Sequence, residues 1–198
     1  MEKPIETPHP LTREQGAALV ALARRTLADH FGQSVASPDG RTIQVDQALQ
    51  AHRGTFVTLN INHQLRGCIG SLSPTGPIVD GVRDNALNAA FHDPRFPPLR
   101  KSELERVQIE VSVLSTPIPL DYSDADDLLY RLKPGVDGVI IKKGIASATF
   151  LPQVWEQLPR PEPFLSHLCL KAGLPADGCR AGDLTVLIYR VQYFEEDR

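Results

Sequence analysis

The spacing of apolar residues predicts that the chain begins with a helix packed against a core. Over residues 12–30 the apolar positions recur every three or four residues, which is the spacing of one helix face. Thr12 and Gln15 have the spacing of a capping box, and Gly32 is typical of the position just after a helix. The predicted helix therefore has a structural role.

Strict alternation of apolar and polar residues predicts strands further along the chain. Residues 55–60 and 65–72 flank Asn62 and His63, so we expect a hairpin with a tight turn. Residues 108–114 alternate as cleanly. Residues 184–194 are apolar on both faces over most of their length and predict one long, central strand.

The return strand of the first hairpin contains the best candidate for chemistry. Alternation places Arg66, Cys68 and Gly70 on one face of this strand and Gly67 on the other. A cation beside a thiol favours the thiolate, so Arg66 would activate Cys68. Gly67 and Gly70 leave their backbone uncovered, which suits the close approach of a ligand or of a neighbouring segment.

Three segments supply candidate neighbours for Cys68. The helix predicted over residues 78–91 begins just after the cysteine strand and has Asn85 on its polar side. The proline-rich segment that follows contains Asp93 and Arg95, which have the chemistry of an ion pair. Glu110 lies among apolar strand residues. It is either a structural partner of Arg66, Arg83 or Arg95, or an acid or base of raised pKa beside Cys68.

Composition narrows the class of protein. The chain has 198 residues, of which 41% are hydrophobic and 23% charged, and its net charge is −3, which is typical of a globular protein. No basic stripe predicts nucleic-acid binding, and no apolar run reaches the ~18 residues of a membrane span. GxGxxG, P-loop, CxxC and HExxH patterns are absent, so we expect neither a nucleotide cofactor nor a metal.

The cysteines and the first residues bear on location. Three cysteines cannot all pair within one chain, and reduced thiols in the cytoplasm are the simplest interpretation. We expect Cys169 to be buried in a helix and Cys179 to be an exposed loop thiol. Residues 1–11 are polar and proline-rich, and they predict a flexible leader without the apolar core of a signal peptide.

Ordered sequence blocks across nearly the whole chain resemble one known family, the AMMECR domain family, which includes protein A of the prokaryotic AmmeMemoRadiSam system. The blocks are Leu65-Arg66-Gly67-Cys68-Ile69-Gly70, Asn85-Ala86 with Ala89-Ala90-Phe91, Asp93-Pro94-Arg95-Phe96, Ile109-Glu110-Val111-Ser112-Val113-Leu114, Pro134-Gly135-Val136-Asp137-Gly138, Ala148-Thr149-Phe150-Leu151-Pro152-Gln153-Val154-Trp155-Glu156-Gln157 and Leu168-Cys169-Leu170-Lys171-Ala172-Gly173-Leu174.

The resemblance implies an architecture and companions, but no particular reaction. It implies an α+β domain over residues 12–198, with a mainly antiparallel sheet flanked by helices. It also implies two unequal lobes with a cleft between them, near the cysteine motif. The boundary between the lobes cannot be assigned from the sequence. The name of the system implies two partners, a Memo-type protein and a radical-SAM protein.

Three hypotheses for the cysteine motif remain open. In the first, the protein is a binding module, and a glycine-lined cleft with Arg66 and Arg95 holds a small anionic ligand or a partner's segment. In the second, it is an enzyme in which Cys68 is a nucleophile or redox centre and Glu110 or Asp93 transfers protons. In the third, the glycines only permit tight packing. The candidate binding residues are Arg66, Gly67, Gly70, Asn85, Asp93 and Arg95, and the candidate catalytic residues are Cys68 and Glu110.

Overall fold

The computed structural model describes residues 10–33, 46–74, 76–182 and 184–196, so most of the predicted leader lies outside the described residues. The chain divides into two compact units. The first contains the described residues up to Ser115 together with those from Gln192 onward, and the second is Thr116–Val191. The α+β class, with antiparallel sheets flanked by helices, is confirmed. The cleft between lobes stays a prediction.

Each unit contains one four-stranded sheet. The strand order is β2-β1-β3-β8 in the first and β4-β7-β5-β6 in the second. In chain order the elements are α1 (Arg13–His30), β1 (Thr55–Ile61), β2 (Gln64–Ser71), α2 (Ile78–Phe91), a 3₁₀ helix (Lys101–Arg106), β3 (Val107–Leu114), β4 (Ile118–Pro119), α3 (Ala125–Arg131), β5 (Gly138–Lys143), β6 (Ala146–Phe150), α4 (Val154–Gln157), α5 (Pro161–Lys171), a second 3₁₀ helix (Gly178–Ala181), β7 (Thr185–Tyr189) and β8 (Val191–Glu195).

The first unit has the predicted helix and hairpin. The capping box of Thr12 and Gln15 is present at the start of α1. Asn62 and His63 have φ angles of 52° and 61°, which are the left-handed values that a two-residue hairpin turn requires. Helices α1 and α2 pack on one face of the sheet. The core on that face includes Val57, Leu59, Ile109, Val111 and Val113.

The second unit has a separate core around Trp155. Its ring stacks on Phe164 with centroids 3.6 Å apart, and its Nε1–H donates to the carbonyl oxygen of Asp137 over 2.7 Å. Cys169 is buried here, as predicted. The prediction for Cys179 is wrong: it lies in the second 3₁₀ helix and is only 8% exposed, because that short helix turns it into the same apolar core.

The final strand also differs from the prediction. The apolar run is divided at Arg190 into β7, which is an inner strand of the second sheet, and β8, which is an edge strand of the first. Tyr189 anchors the end of β7, because its hydroxyl donates to the carbonyl oxygen of Phe150 and its ring fills the space above Gly138. Beyond the break, Phe194 packs on Gly16 of α1. The apolar residues before Arg190 therefore belong to the second sheet, and those after it belong to the first.

Candidate functional site

The backbone of Cys68 is hydrogen-bonded to two side chains that lie outside the sheet, those of Asp93 and Arg95. Cys68 lies on β2, an edge strand, and its N–H donates to Asp93 Oδ2 over 2.9 Å. Its carbonyl oxygen accepts from Arg95 Nη2 over 3.1 Å. Both backbone groups therefore point away from β1. Cys68 and its partner Thr58 then form a pair without mutual backbone hydrogen bonds, the kind in which opposite side chains lie closest.

The Asp93–Arg95 pair that holds Cys68 is itself rigid. Arg95 Nε and Nη2 donate to the two carboxylate oxygens of Asp93 over 2.9 and 2.7 Å. Asp93 is 4% exposed, and its pKa is far below the usual range, mainly because of the hydrogen bond from the Arg95 side chain. Asp93 therefore stays ionised near neutral pH. Its function in the structure is to hold the Cys68 backbone rather than to exchange a proton.

Three side chains cross the face of the sheet opposite to the helices. Thr58 pairs with Cys68 on one side and with Glu110 on the other, so the three lie in line across β2, β1 and β3. The Thr58 hydroxyl donates to Cys68 Sγ over 3.3 Å. All three residues are half-buried. We call Cys68, Thr58 and Glu110 the polar row.

Glu110 is the member of the polar row whose pKa is raised. Burial raises its pKa, and the neighbouring carboxyl of Glu195 raises it further. The Ser112 hydroxyl donates to Glu110 Oε1 over 3.3 Å and opposes this rise. The arginines considered as partners for Glu110 each pair with another carboxylate: Arg66 with Glu103, Arg83 with Asp80 and Arg95 with Asp93.

Arg66 is directed towards Glu103. Its Nε and Nη2 donate to the two Glu103 carboxylate oxygens over 3.0 and 3.2 Å, and Nη2 also donates to the carbonyl oxygen of Pro98. The cation that contacts the Cys68 backbone is therefore Arg95. Glu103 was not predicted as a partner of Arg66, because no periodic pattern links residues 37 positions apart.

Thr58 was also missed, and a β-bulge is the reason. A two-residue turn followed by regular pairing would place Thr58 opposite Gly67. The register shifts instead between Leu59 and Asn60, so Arg66 has no partner on β1 and Cys68 lies opposite Thr58. The two-residue turn is visible in the sequence and sets the register next to the turn. It gives no indication of the β-bulge that follows.

The glycines and Asn85 are used in packing. A Cβ on Gly67 would lie 2.1 Å from the carbonyl oxygen of Ala89 on α2. A Cβ on Gly70 would lie 2.2 Å from the Phe56 ring. Asn85 Nδ2 donates to the backbone and side-chain oxygens of Thr55, which ties α2 to the start of β1. The space that we expected for a ligand at the two glycines is thus filled by the protein itself.

Two features of the described residues bear on metal binding and on membrane insertion. In the ranges that the structure describes, no group of three or more His, Cys, Asp or Glu side chains is arranged to hold a metal ion. None of the described helices combines the length and the apolar character needed to cross a membrane.

Comparison with known proteins gives a consistent result. A sequence model of the AMMECR1 family matches residues 20–194. A protein of Methanothermobacter thermautotrophicus is 37% identical over 195 residues, covering 95% of this chain and 97% of the relative. A protein of Methanopyrus kandleri is 39% identical over 198 residues, covering 94% and 91%. The crystal structure of an uncharacterised protein from Pyrococcus horikoshii has a TM-score of 0.75, 35% identity and 94% coverage of both chains. The names of these relatives state no activity. This chain belongs to the AMMECR1 family.

Proposed function

We propose that this protein is a binding module whose ligand contacts the polar row in the cytoplasm. The observation that carries the proposal is the clamp on Cys68. Asp93 and Arg95 bind its backbone from the outer edge, so Sγ and the Thr58 hydroxyl keep a defined position. Defined polar groups on a rigid strand are typical of binding sites.

The charges favour a neutral, hydrogen-bonding group on the ligand. Arg66 and Arg95, the cations expected to hold an anion, each already bind a carboxylate. Burial raises the pKa of Glu110, and its carboxyl oxygens accept hydrogen bonds in either protonation state. The ligand is therefore an uncharged amide, hydroxyl or carbonyl group of a small molecule or of a partner's segment. The Memo-type and radical-SAM proteins are the first partners to test.

Retention of ligand during purification tests the proposal. Native mass spectrometry of the protein purified from its own cells should show a retained small molecule or protein. Thr58→Val and Glu110→Leu should lose it by about tenfold, because each removes hydrogen-bonding groups from the polar row. Cys68→Ser should retain most of it. Glu162→Leu, on the exposed surface of α5, is the matched control. Equal retention in all variants would contradict the proposal.

The Thr58 contact with Cys68 Sγ supports a second candidate, a reactive thiol. Alkylation by iodoacetamide, in which sulfur gains the carbamidomethyl group and iodide leaves, measures this directly. An activated Cys68 reacts at pH 6–7 faster than a free cysteine of pKa ~8.5. A pH profile equal to that of free cysteine rejects this candidate and leaves the binding proposal intact.

A further inference from the structure

A small polar cavity lies at one end of the first sheet, away from the polar row. It has a volume of about 30 Å³ and is bounded by the start of β1, the end of β2 and the first turns of α2. Its lining includes Arg53, Thr55, Ser71, Ser73, Gly81 and Asp84. Since one water-sized sphere needs about 10–15 Å³ on this measure, the cavity has room for about two or three oxygen atoms.

Arg53 is the unusual member of this lining. It is 6% exposed, and its Nε–H donates to the carbonyl oxygen of Leu114 over 2.7 Å. Among the described residues, no carboxylate lies within 4.0 Å of its guanidinium. Burial lowers the pKa of Arg53, and no nearby charge offsets this. Because an arginine keeps its proton in proteins, Arg53 gives the lining of this cavity a buried positive charge without a carboxylate partner among the described residues.

The other arginines of this unit show how unusual that is. Arg66 and Arg95 are both bound to carboxylates through two nitrogens. Both of them are also more exposed than Arg53. Arg53, the most buried arginine among the described residues, has no such carboxylate partner there. Buried charges in proteins are paired or bind a ligand, so the Arg53 guanidinium is suited to a negative group that the protein itself does not supply within 4.0 Å among the described residues.

The remaining surroundings of the cavity are polar and of mixed charge. Helix α2 has 14 residues and begins at Ile78, and the helix residues that line the cavity, Gly81, Asp84 and Asn85, lie beyond its first three positions. The N-cap is Pro77, which makes no side-chain capping bond. Ser71 and Ser73 add hydroxyl groups to the lining, and the Ser71 hydroxyl donates to the Ser73 carbonyl oxygen. Asp84 is the opposing charge, and it is exposed on α2.

The cavity is preformed by backbone contacts. The segment before β1 is joined to the start of α2 by a β-bridge between His52 and Pro77. Ile78 N–H donates to the carbonyl oxygen of Ala51 over 3.0 Å. On the other side, a Cβ on Gly54 would lie 2.5 Å from the carbonyl oxygen of Leu72, so only glycine allows this approach. The backbone on both sides of Arg53 is therefore fixed by contacts at the end of the sheet.

We infer that this cavity is an oxyanion site, in which the Arg53 guanidinium holds a carboxylate or phosphate group of a small ligand. The planar fork of guanidinium nitrogens matches two oxygens of such a group. The size of the cavity admits the charged head group, and the rest of the ligand extends outward. The inference goes beyond the proposed function, because Cys68, Thr58 and Glu110 do not line this cavity.

An NMR titration of the whole chain tests the inference with three probes: sodium phosphate, sodium acetate and sodium chloride at equal ionic strength. Phosphate or acetate should shift the amide signals of Gly54, Gly76 and Gly81 and the Arg53 Nε–Hε signal with saturation. Chloride should not. The two oxyanion arms distinguish phosphate from carboxylate ligands. Shifts that rise linearly with all three salts would overturn the inference.

Three variants locate the anion. Arg53→Lys keeps the charge but loses the fork, and should weaken binding about tenfold. Asp84→Asn removes the opposing charge on the surface and should strengthen binding about twofold to threefold. Arg131→Gln, which alters an exposed ion pair in the second unit, is the matched control and should bind like the parent protein.

The Asp84 variant keeps the test decisive if Arg53→Lys fails to fold. Asp84 is exposed, and no hydrogen bond from its side chain is present among the described residues, so its replacement should leave the fold intact. Equal affinity in the parent protein and Asp84→Asn would place the anion elsewhere. Unchanged affinity in a folded Arg53→Lys would do the same.

Discussion

The two units place their cysteines in different surroundings. Cys68 is half-buried on a polar sheet face, with a hydroxyl at Sγ and an ion pair holding its backbone. Cys169 and Cys179 are buried among leucine and phenylalanine side chains in the second core. Burial raises the pKa of both of these thiols. The groups that fix and surround each cysteine therefore differ between the two units.

Among the changes to the surroundings of Cys68, replacement of Asp93 should have the largest effect. Asp93→Ala leaves the Cys68 N–H without its acceptor and frees Arg95, so we expect a loss of roughly 3 kcal/mol in the free energy of unfolding. Urea unfolding at pH 7 measures it. Asp80→Ala, which breaks the exposed pair with Arg83, is the control and should cost under about 1 kcal/mol.

The pH dependence of the same variant provides a second check. The pKa of Asp93 is lowered by folding, so its contribution to stability is present above its ordinary pKa and is lost as the pH falls towards the folded value. The stability difference between the parent protein and Asp93→Ala should therefore shrink below about pH 4. A constant difference would contradict the role of the charge.

Thiol labelling should distinguish Cys68 from the two cysteines of the second unit. We expect this effect to be somewhat smaller than that of Asp93→Ala. N-ethylmaleimide should modify native Cys68 at least about 100-fold faster than Cys169 or Cys179, because the latter two react only when the second core opens. Peptide mapping by mass spectrometry gives the three rates. Cys68→Ser should abolish the fast phase. Comparable labelling rates at all three thiols would contradict the predicted difference in accessibility between Cys68 and the two buried cysteines.

Glu110 should affect the dependence of stability on pH. Its pKa is raised by burial in the folded protein, so its favourable contribution is complete below its ordinary pKa and is lost as the pH rises through the folded value. Glu110→Gln mimics the protonated carboxyl and should remove the loss of stability at higher pH. We expect the change in the free energy of unfolding to be under about 1 kcal/mol. Chemical unfolding between pH 4 and pH 8 measures it. Glu162→Gln should not alter the profile.

Thr58→Val should have the smallest effect on stability. The substitution keeps the shape of the side chain and removes a weak hydrogen bond to sulfur, so the free energy of unfolding should change by less than about 0.5 kcal/mol. The labelling rate of Cys68 is the sharper measurement, since the hydroxyl contacts Sγ directly. If the rate and its pH profile are unchanged, the Thr58 contact has no influence on the thiol.

Local patterns were sufficient for much of the fold. The capping box at Thr12, the turn at Asn62 and His63, and the alternation of β3 all depend on neighbouring residues, and the structure has each of them. The division of the last strand at Arg190 was not predictable, because apolar residues on both sides suit either one strand or two. Cys179 was misplaced for a related reason: a polar, glycine-containing loop gave no sign of the short helix that buries it.

The sequence by itself determined helices α1 and α2, the first hairpin and the strand on which Cys68 lies, because these follow from propensity and periodicity over a few residues. Only the tertiary structure decided what surrounds Cys68. The bulge at Arg66 changes the register by one residue and places the thiol opposite Thr58 instead of facing the core. The Asp93 clamp and the pairing of Arg66 with Glu103 join residues far apart in the chain. The cavity likewise has Arg53 in its lining together with Ser71 and Gly81. Such contacts depend on how the elements meet, and no local pattern encodes that.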